Sequence, residues 1–313
     1  VLVGNAGIVT KSTSMRTGMR LLEQIPDIHF GPPSITWQKL AESLSVAVEF
    51  VQIPDLVDPV PMSCLTIFIS ELGTFLKVDD VALVDVLVDL WDGQLSKWGH
   101  ETKTAGVTEI KNPWLNIIGC TTPSWLKAHF PEHMIGGGFT SRVLFIYGEA
   151  KRKLVPYPDE VIPSADYYRL QDQLIDDLKE IASLMGEYRL TPEARRWGHD
   201  WYEQHWMGAR PLHLASDRYG GYLSRKQTHM HKLAIVLAAA RSNERLIEKE
   251  HLIEADLLLT SVEPHMLKVF ESIGVVDEAR HTNDLIGFVR AHEWLTADSL
   301  WRLVMNLMNQ KEF

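Results

Sequence analysis

Short apolar runs rich in β-branched residues alternate with stretches of helical apolar spacing from Val1 to Tyr147, and beyond Pro158 those runs cease. A chain that alternates in this way folds as a parallel sheet with helices on its faces. Parallel neighbours need a crossover of a dozen or more residues, most often a helix. Residues 1–3, 64–69, 114–119 and 141–147 are the expected strands, with a short one at 28–30 broken by Gly31, Pro32 and Pro33. The intervening helices are expected at 11–24, 37–48 and 81–91. Beyond Pro158, segments 170–185, 192–207, 226–240 and 250–270 read as helices with no strands between them. Thr191 ahead of Pro192 supplies an N-cap with proline at the first helical position. In the tail, 282–292, 296–304 and a segment opening near Gln310 read as three short helices, an order that suggests the beginning of a winged helix. The expected organisation is an α/β core over 1–157, an all-helical lid over 158–275 and a partial winged-helix-like tail over 276–313.

With 45% apolar and 23% charged residues the composition is that of an ordinary globular protein. No apolar run reaches the roughly 18 residues a bilayer span needs, so no membrane partner is expected. Cys64 and Cys120 lie in apolar runs and match no zinc spacing; they read as buried small hydrophobes in a reducing cytoplasm. A net charge of −10 does not advertise nucleic-acid binding, although a cleft can concentrate Lys and Arg on an acidic body. The sequence opens at Val1 directly on a strand, which suggests that a further domain precedes it.

The segment from Val1-Leu2-Val3 through Gly4-Asn5-Ala6-Gly7-Ile8-Val9-Thr10 to Lys11-Ser12-Thr13 is strand, glycine loop, helix. A phosphate cradle needs that order. Glycines let backbone N–H groups approach phosphate oxygens, the helix N-terminus adds its dipole, Lys reaches the β/γ-phosphates and Ser holds Mg²⁺. Gly4, Gly7, Lys11, Ser12 and Thr13 are therefore the candidate nucleotide-binding residues, with Ser12 a metal ligand. The loop is one residue longer than the usual pattern, and Thr10 stands where glycine precedes the lysine. The plainer alternative is a strand–helix turn with a solvated lysine.

Downstream, the strand at 65–69 ends in Ser70-Glu71. An acidic pair at such a strand end holds Mg²⁺ through its first member and orients the attacking water through its second. Glu71 fits the second role and is also carried as a metal-side residue, while Ser70 stands where the first acid is expected. The alternative is that Glu71 caps the next helix. Thr121 and Thr122 end another strand, where a polar group can face the γ-phosphate; turn formation is the commoner use of such threonines. Gly136-Gly137-Gly138-Phe139-Thr140-Ser141-Arg142 joins a glycine run to an arginine. Arg142 is expected as a finger supplied in trans, a device that contributes roughly 10³–10⁵ in rate. The alternative is a structural arginine paired with an acid at the strand start.

Residues 102–110 are expected as a hairpin, with Lys97, Lys103 and Lys111 touching a phosphate backbone or, equally well, a solvated loop. His229 and His231, two apart on a helix, make a poor metal pair. Trp197, Trp201, Trp206 and Tyr202 read as lid core. Arg218 and Arg225 precede the helix at 226–240, placed either to reach a nucleotide from the lid or to form a surface salt bridge.

Three motifs, Gly4-x-x-Gly7-x-x-x-Lys11-Ser12-Thr13, Ile69-Ser70-Glu71-Leu72-Gly73 and Gly138-Phe139-x-Ser141-Arg142, follow one another in that order. With softer support from Leu190-Thr191-Pro192-Glu193-Ala194 and Lys232-Leu233-Ala234, the chain resembles the helicase-like ATPases of phage and plasmid primase-helicase proteins. These are related to superfamily III helicases and the AAA+ class. The resemblance covers most of residues 1 to 275, and in that family the longer loop before the lysine is familiar. It implies a P-loop (RecA/AAA+-like) core that hydrolyses ATP with Mg²⁺ in a bacterial or phage-infected cytoplasm. It also implies a homo-oligomeric ring, hexameric, with ATP between subunits and DNA, single-stranded, moved through the centre by hairpins. A primase-type domain is then the expected N-terminal neighbour. Two rivals remain: a hydrolysis-poor nucleotide-binding assembly or loader module, favoured by Ser70, and an AAA+ motor of phage defence or DNA packaging.

Overall fold

The computed structural model describes residues 1–53, 56–77, 80–93, 97–102, 106–130, 138–151, 153–157, 165–211 and 214–270. In chain order the elements are β1 (Leu2–Val3), α1 (Lys11–Leu22), α2 (Trp37–Val46), β2 (Val48–Val51), β3 (Val60–Ile69), α3 (Leu72–Phe75) and α4 (Val81–Asp92). There follow β4 (Lys97–Thr102), β5 (Gly106–Lys111), β6 (Trp114–Thr121), α5 (Pro123–His129) and β7 (Ile146–Tyr147). The last group is α6 (Ala165–Ala182), β8 (Arg189–Leu190), α7 (Pro192–Met207), α8 (Gly220–Ala239), β9 (Leu246–Ile247) and α9 (Lys249–Phe270).

Five strands form one sheet in the order β2-β3-β6-β1-β7, parallel except for β2. The expected α/β architecture with a mostly parallel sheet is therefore present. β3 and β6 pair from Cys64 opposite Trp114 to Ile69 opposite Gly119. β3 reads as a nearly unbroken apolar run because both of its faces are covered. On one face Phe68 and Cys120 pack with Met15 of α1. Leu65, Ile67 and Ile69 alternate to the other face, where α2 packs on β3 and α3 and α4 pack on β6. α4 buries Leu83, Val86, Leu87 and Leu90, a single helical stripe. Asp80 starts it by accepting the Leu83 N–H at 3.1 Å, and Gly93 in the left-handed conformation stops it.

Several expected boundaries move. The helix read as 37–48 ends at Val46, because the Ala47 carbonyl is taken by Cys64 N–H at 2.9 Å and the chain turns back as β2. β3 begins at Val60 and so includes Pro61, tolerated near the start of a strand whose partner there is the edge strand β2. The strand read at 28–30 is reduced to one bridge between Phe30 and Thr66. Of the strand read at 141–147 only β7 remains, and Thr140–Arg142 is a 3₁₀ turn instead. α5 was not anticipated; Thr122 caps it by accepting the Trp125 N–H at 3.2 Å, with Pro123 at its first position.

In the lid, α7, α8 and α9 close around Ala194, Met230, Ala234, Leu252, Ala255 and Leu259. Thr191 caps α7 as its sequence announces, accepting the Ala194 N–H at 3.1 Å. The lid is not wholly helical: β8 and β9 form a two-residue parallel ladder at the start of α7 and α9. Trp197 and Trp201 pack on the lid core, whereas Trp206 and Tyr202 are 50% and 45% exposed and do not belong to it. Lid and sheet are locked together. His229 Nε2 meets the Ser141 carbonyl at 3.0 Å, and the Phe145 ring meets Phe270 edge-on at 5.0 Å. Residues 1–270 accordingly form one compact unit. The expected tail helices, beyond residue 270, lie outside the described residues. Among the described residues no helix is long and apolar enough to cross a membrane.

Between α8 and α9 a cation is buried. Lys226 Nζ lies 2.7 Å from Glu263 and 3.3 Å from Asp256, and Thr260 accepts from it at 3.1 Å. Burial, then the charge of Glu263, pushes the pKa of the Tyr222 hydroxyl up, so that it stays protonated and donates to Glu263 at 3.0 Å. Glu263→Ala leaves Lys226 only Asp256 and Thr260 and strips the buried Tyr222 hydroxyl of its acceptor, and is expected to cost about 1–3 kcal/mol, read as a lowered urea midpoint. A midpoint within error of the wild type would mean that the network does not hold the lid.

Candidate functional site

β1 ends inside the sheet, and the chain must turn sharply from it into α1. Gly4 passes so close to its neighbours that a Cβ there would lie 2.3 Å from Val9 Cγ2 and 2.9 Å from the Gly148 carbonyl oxygen. Gly7 takes φ +72° at the third position of a turn closed from Ile8 N–H to the Asn5 carbonyl, a conformation that L side chains resist. The chain enters α1 at Thr10, whose side chain makes no capping bond, and the first turn holds no acid. Instead α1 opens with Lys11. A cation at the positive end of a helix dipole is disfavoured by about 0.3–1 kcal/mol. Lys11 meets this by folding back, its Nζ donating to the Gly4 carbonyl at 2.6 Å. Ser12 hydrogen-bonds the buried Cys120 thiol, and Thr13 is exposed.

The neighbouring strand ends bring the other residues to the same edge. Gly4 N–H donates to the Thr121 carbonyl at 3.3 Å, and Thr121 is buried at the end of β6. Thr122 is the cap of α5, so for this residue the turn-forming reading holds. Glu71 occupies the cap position of α3, but its carboxylate makes no capping bond and the residue is exposed. Its backbone carbonyl takes the Thr74 hydroxyl at 2.8 Å. Ser70 beside it is also exposed. Cys120 joins these observations. Burial pushes its thiol pKa up, the Ser12 hydrogen bond and the Lys11 charge oppose that, and the Glu71 carboxylate reinforces it. The parallel pairing of β1 with β6 and of β6 with β3 carries Lys11, Ser12, Thr121 and Glu71 to the same carboxyl edge of the sheet. The connections leaving neighbours β1 and β6 run in opposite directions, toward β3 and toward β7. Such a point opens a crevice outside the strand ends. The donor set there is one ammonium, loop amides and the oxygens of Ser12 and Glu71. It suits an anion accompanied by a hard, oxygen-seeking cation.

Arg142 stands apart from that set. Its Nη2 and Nε donate to the two carboxylate oxygens of Asp92 at 2.7 and 3.2 Å, and Nη1 donates to the Gly138 carbonyl at 2.8 Å. Its guanidinium also lies 5.6 Å from the centre of the Trp91 ring. The acid-paired alternative describes this contact, although the acid ends α4 rather than beginning a strand. Lys232 covers the same ring at 3.8 Å and donates to the Trp91 carbonyl at 2.7 Å. Burial lowers the pKa of Lys232, Asp92 raises it and Arg142 lowers it further. Arg225 feels the charges of Arg142 and Asp92 as well. The sequence singled out Lys232 only within Lys232-Leu233-Ala234 and did not mark Trp91 or Asp92 as partners of Arg142, because these pairings span long separations.

The hairpin exists: β4 and β5 pair from Lys97 opposite Lys111 to Thr102 opposite Gly106. It opens five residues earlier than expected, which places Lys97 and Lys111 at its base. Lys103 lies outside the described residues. Ile110 is fully buried, and Lys111 N–H donates to Ser63 Oγ, which anchors that base to β3. From Ser63 to Ile69 is roughly 20 Å along the strand, so hairpin root and glycine loop lie at opposite ends of the sheet. Lys111 also lies 3.8 Å from Glu109. In the lid, His229 is buried against Ser141, while His231 meets the Gln227 carbonyl of its own helix at 2.8 Å. A cavity of about 570 Å³ lined by Gln52, Ser183, Met185 and Arg245, among others, touches none of the glycine-loop residues. No protein-family model matches the chain, and no curated protein matches it.

Proposed function

We propose that this chain binds and hydrolyses ATP with Mg²⁺, as the P-loop engine of a ring that moves DNA. One observation carries the reading. A helix with neither a side-chain cap nor an acid in its first turn begins with Lys11, behind a glycine loop, at the switch point of a parallel sheet. On its own that arrangement is electrostatically unfavourable, and a triphosphate reverses the sign. Lys11 would then leave the Gly4 carbonyl for the β/γ-oxygens, with loop amides and Thr13 around them. Ser12 and Glu71 would hold Mg²⁺, whose charge would offset that of the phosphate oxygens. Glu71, with no capping duty for its carboxylate, would orient water for in-line attack, with Thr121 beside it on β6. Arg142 would serve the site of a neighbouring copy. The hairpin rooted at Lys97 and Lys111 would carry the motion to single-stranded DNA, with Lys103 a further candidate for phosphate contact.

Isothermal titration of Mg·ATP into the assembled protein tests the first step. Saturable heat is expected, reduced in Lys11→Ala, and an athermal, non-competing titration in folded protein would remove the proposal. The loader reading keeps one argument, Ser70 in place of an acid. It predicts ATP-dependent assembly with turnover near background.

A further inference from the structure

α4 ends in Trp91-Asp92, where its last carbonyls and negative dipole end favour cations. Arg142 and Lys232 gather there around one acid, so the cluster holds more positive than negative charge. The pair at its centre is asymmetric: the Arg142 side chain is 9% exposed and the Asp92 side chain 40%. Asp92 presents two oxygens to the guanidinium fork in the way a phosphate does. An arginine so held cannot serve another subunit without first leaving its carboxylate. The exposed Asp92 side of the pair leaves a path for an anion to take its place, so that the buried guanidinium would exchange one anionic partner for another and never be left unpaired.

We infer that Asp92 is a positioning residue that parks Arg142 on its own subunit and yields it to the terminal phosphate of a nucleotide held by a second copy of this chain. The inference rests on the nucleotide reading above. Asp92 therefore sets how much assembly is needed before Arg142 engages, and it does so at the end of the helix from which the chain leaves for the β4–β5 hairpin.

ATP turnover per chain, measured against protein concentration, reads this directly. Asp92→Asn keeps the shape and removes the charge. It is expected to lower the half-activating concentration about 3–10-fold while leaving maximal turnover within about twofold. Asp92→Glu is expected to follow the wild-type curve. An unshifted or raised half-activating concentration in Asp92→Asn overturns the inference. A purely structural Asp92 would lower maximal turnover and thermal stability without that shift. Should the variant not fold, wild-type hydrogen exchange decides. Amides at 88–92 are expected to exchange faster once the protein assembles with a non-hydrolysable Mg·ATP analogue, and unchanged exchange there overturns the inference. Wild-type protein that neither binds nor consumes Mg·ATP removes the nucleotide reading and this inference together. Wild-type activity with an unshifted Asp92→Asn curve removes this inference alone.

Discussion

Lys11→Ala is expected to lose ATP turnover by about 10³-fold or more, to the background of a coupled phosphate-release assay. The size follows from where the ammonium sits. Lys11 Nζ lies on the Gly4 carbonyl in the mouth of the loop, beside Ser12 in the first turn of α1. From there a short swing of the side chain carries it to an anion bound by the loop amides. In a site shielded from water, one fixed charge aimed at developing negative charge contributes several kcal/mol. The fold itself is expected to survive, because Lys11 is only half-buried and its one hydrogen bond is to a loop carbonyl. Circular dichroism and the urea midpoint should therefore stay near wild type while turnover vanishes. Normal turnover in a folded Lys11→Ala protein would show that the glycine loop is only a turn.

The second large effect belongs to Arg142→Ala, for which a loss of roughly 10³-fold in turnover is expected with nucleotide affinity retained. Arg142 lies outside the group of Lys11, Ser12 and Glu71 and is bound to Asp92 on its own chain. Its removal should therefore leave the same subunit's loop intact. A mixing experiment separates the two roles. Arg142→Ala keeps its loop and Lys11→Ala keeps its arginine, so an interface that takes the loop from the first and the arginine from the second is complete. Two inactive preparations mixed at equal amounts are then expected to recover roughly a quarter of wild-type turnover, the share of interfaces so composed when copies mix at random. Failure of the mixture to exceed either parent, under conditions where the copies exchange, would confine Arg142 to its bond with Asp92.

Much of the core was readable because its signals are local. A glycine loop between an apolar run and a helix, or Thr191 ahead of Pro192, depends on residues only a few positions apart, and the chain forms both as read. β2 escaped notice because Val48-Glu49-Phe50-Val51 is four residues long and pairs only at the sheet edge. Phe50 is 70% exposed there, so no alternation of burial betrays it. The strand read at 141–147 is shortened to β7 for the opposite reason. Its apolar residues are genuine, yet Phe145 is buried against Phe270 of the lid rather than paired in the sheet.

What the residues in order established is chemical: an apolar strand feeding a glycine loop, a lysine and a serine opening a helix, an acid after a second apolar strand, and an arginine after a glycine run. Each depends on covalent neighbours and on periodicity. Which of these groups meet was settled by packing. The strand order put β6 between β1 and β3 and so brought Lys11, Ser12 and Glu71 to one edge of the sheet, while α4 and α8 captured Arg142 on Asp92 and Trp91. Contacts across fifty or a hundred residues arise only when buried faces choose their partners, and a single chain of letters carries no direct mark of that choice.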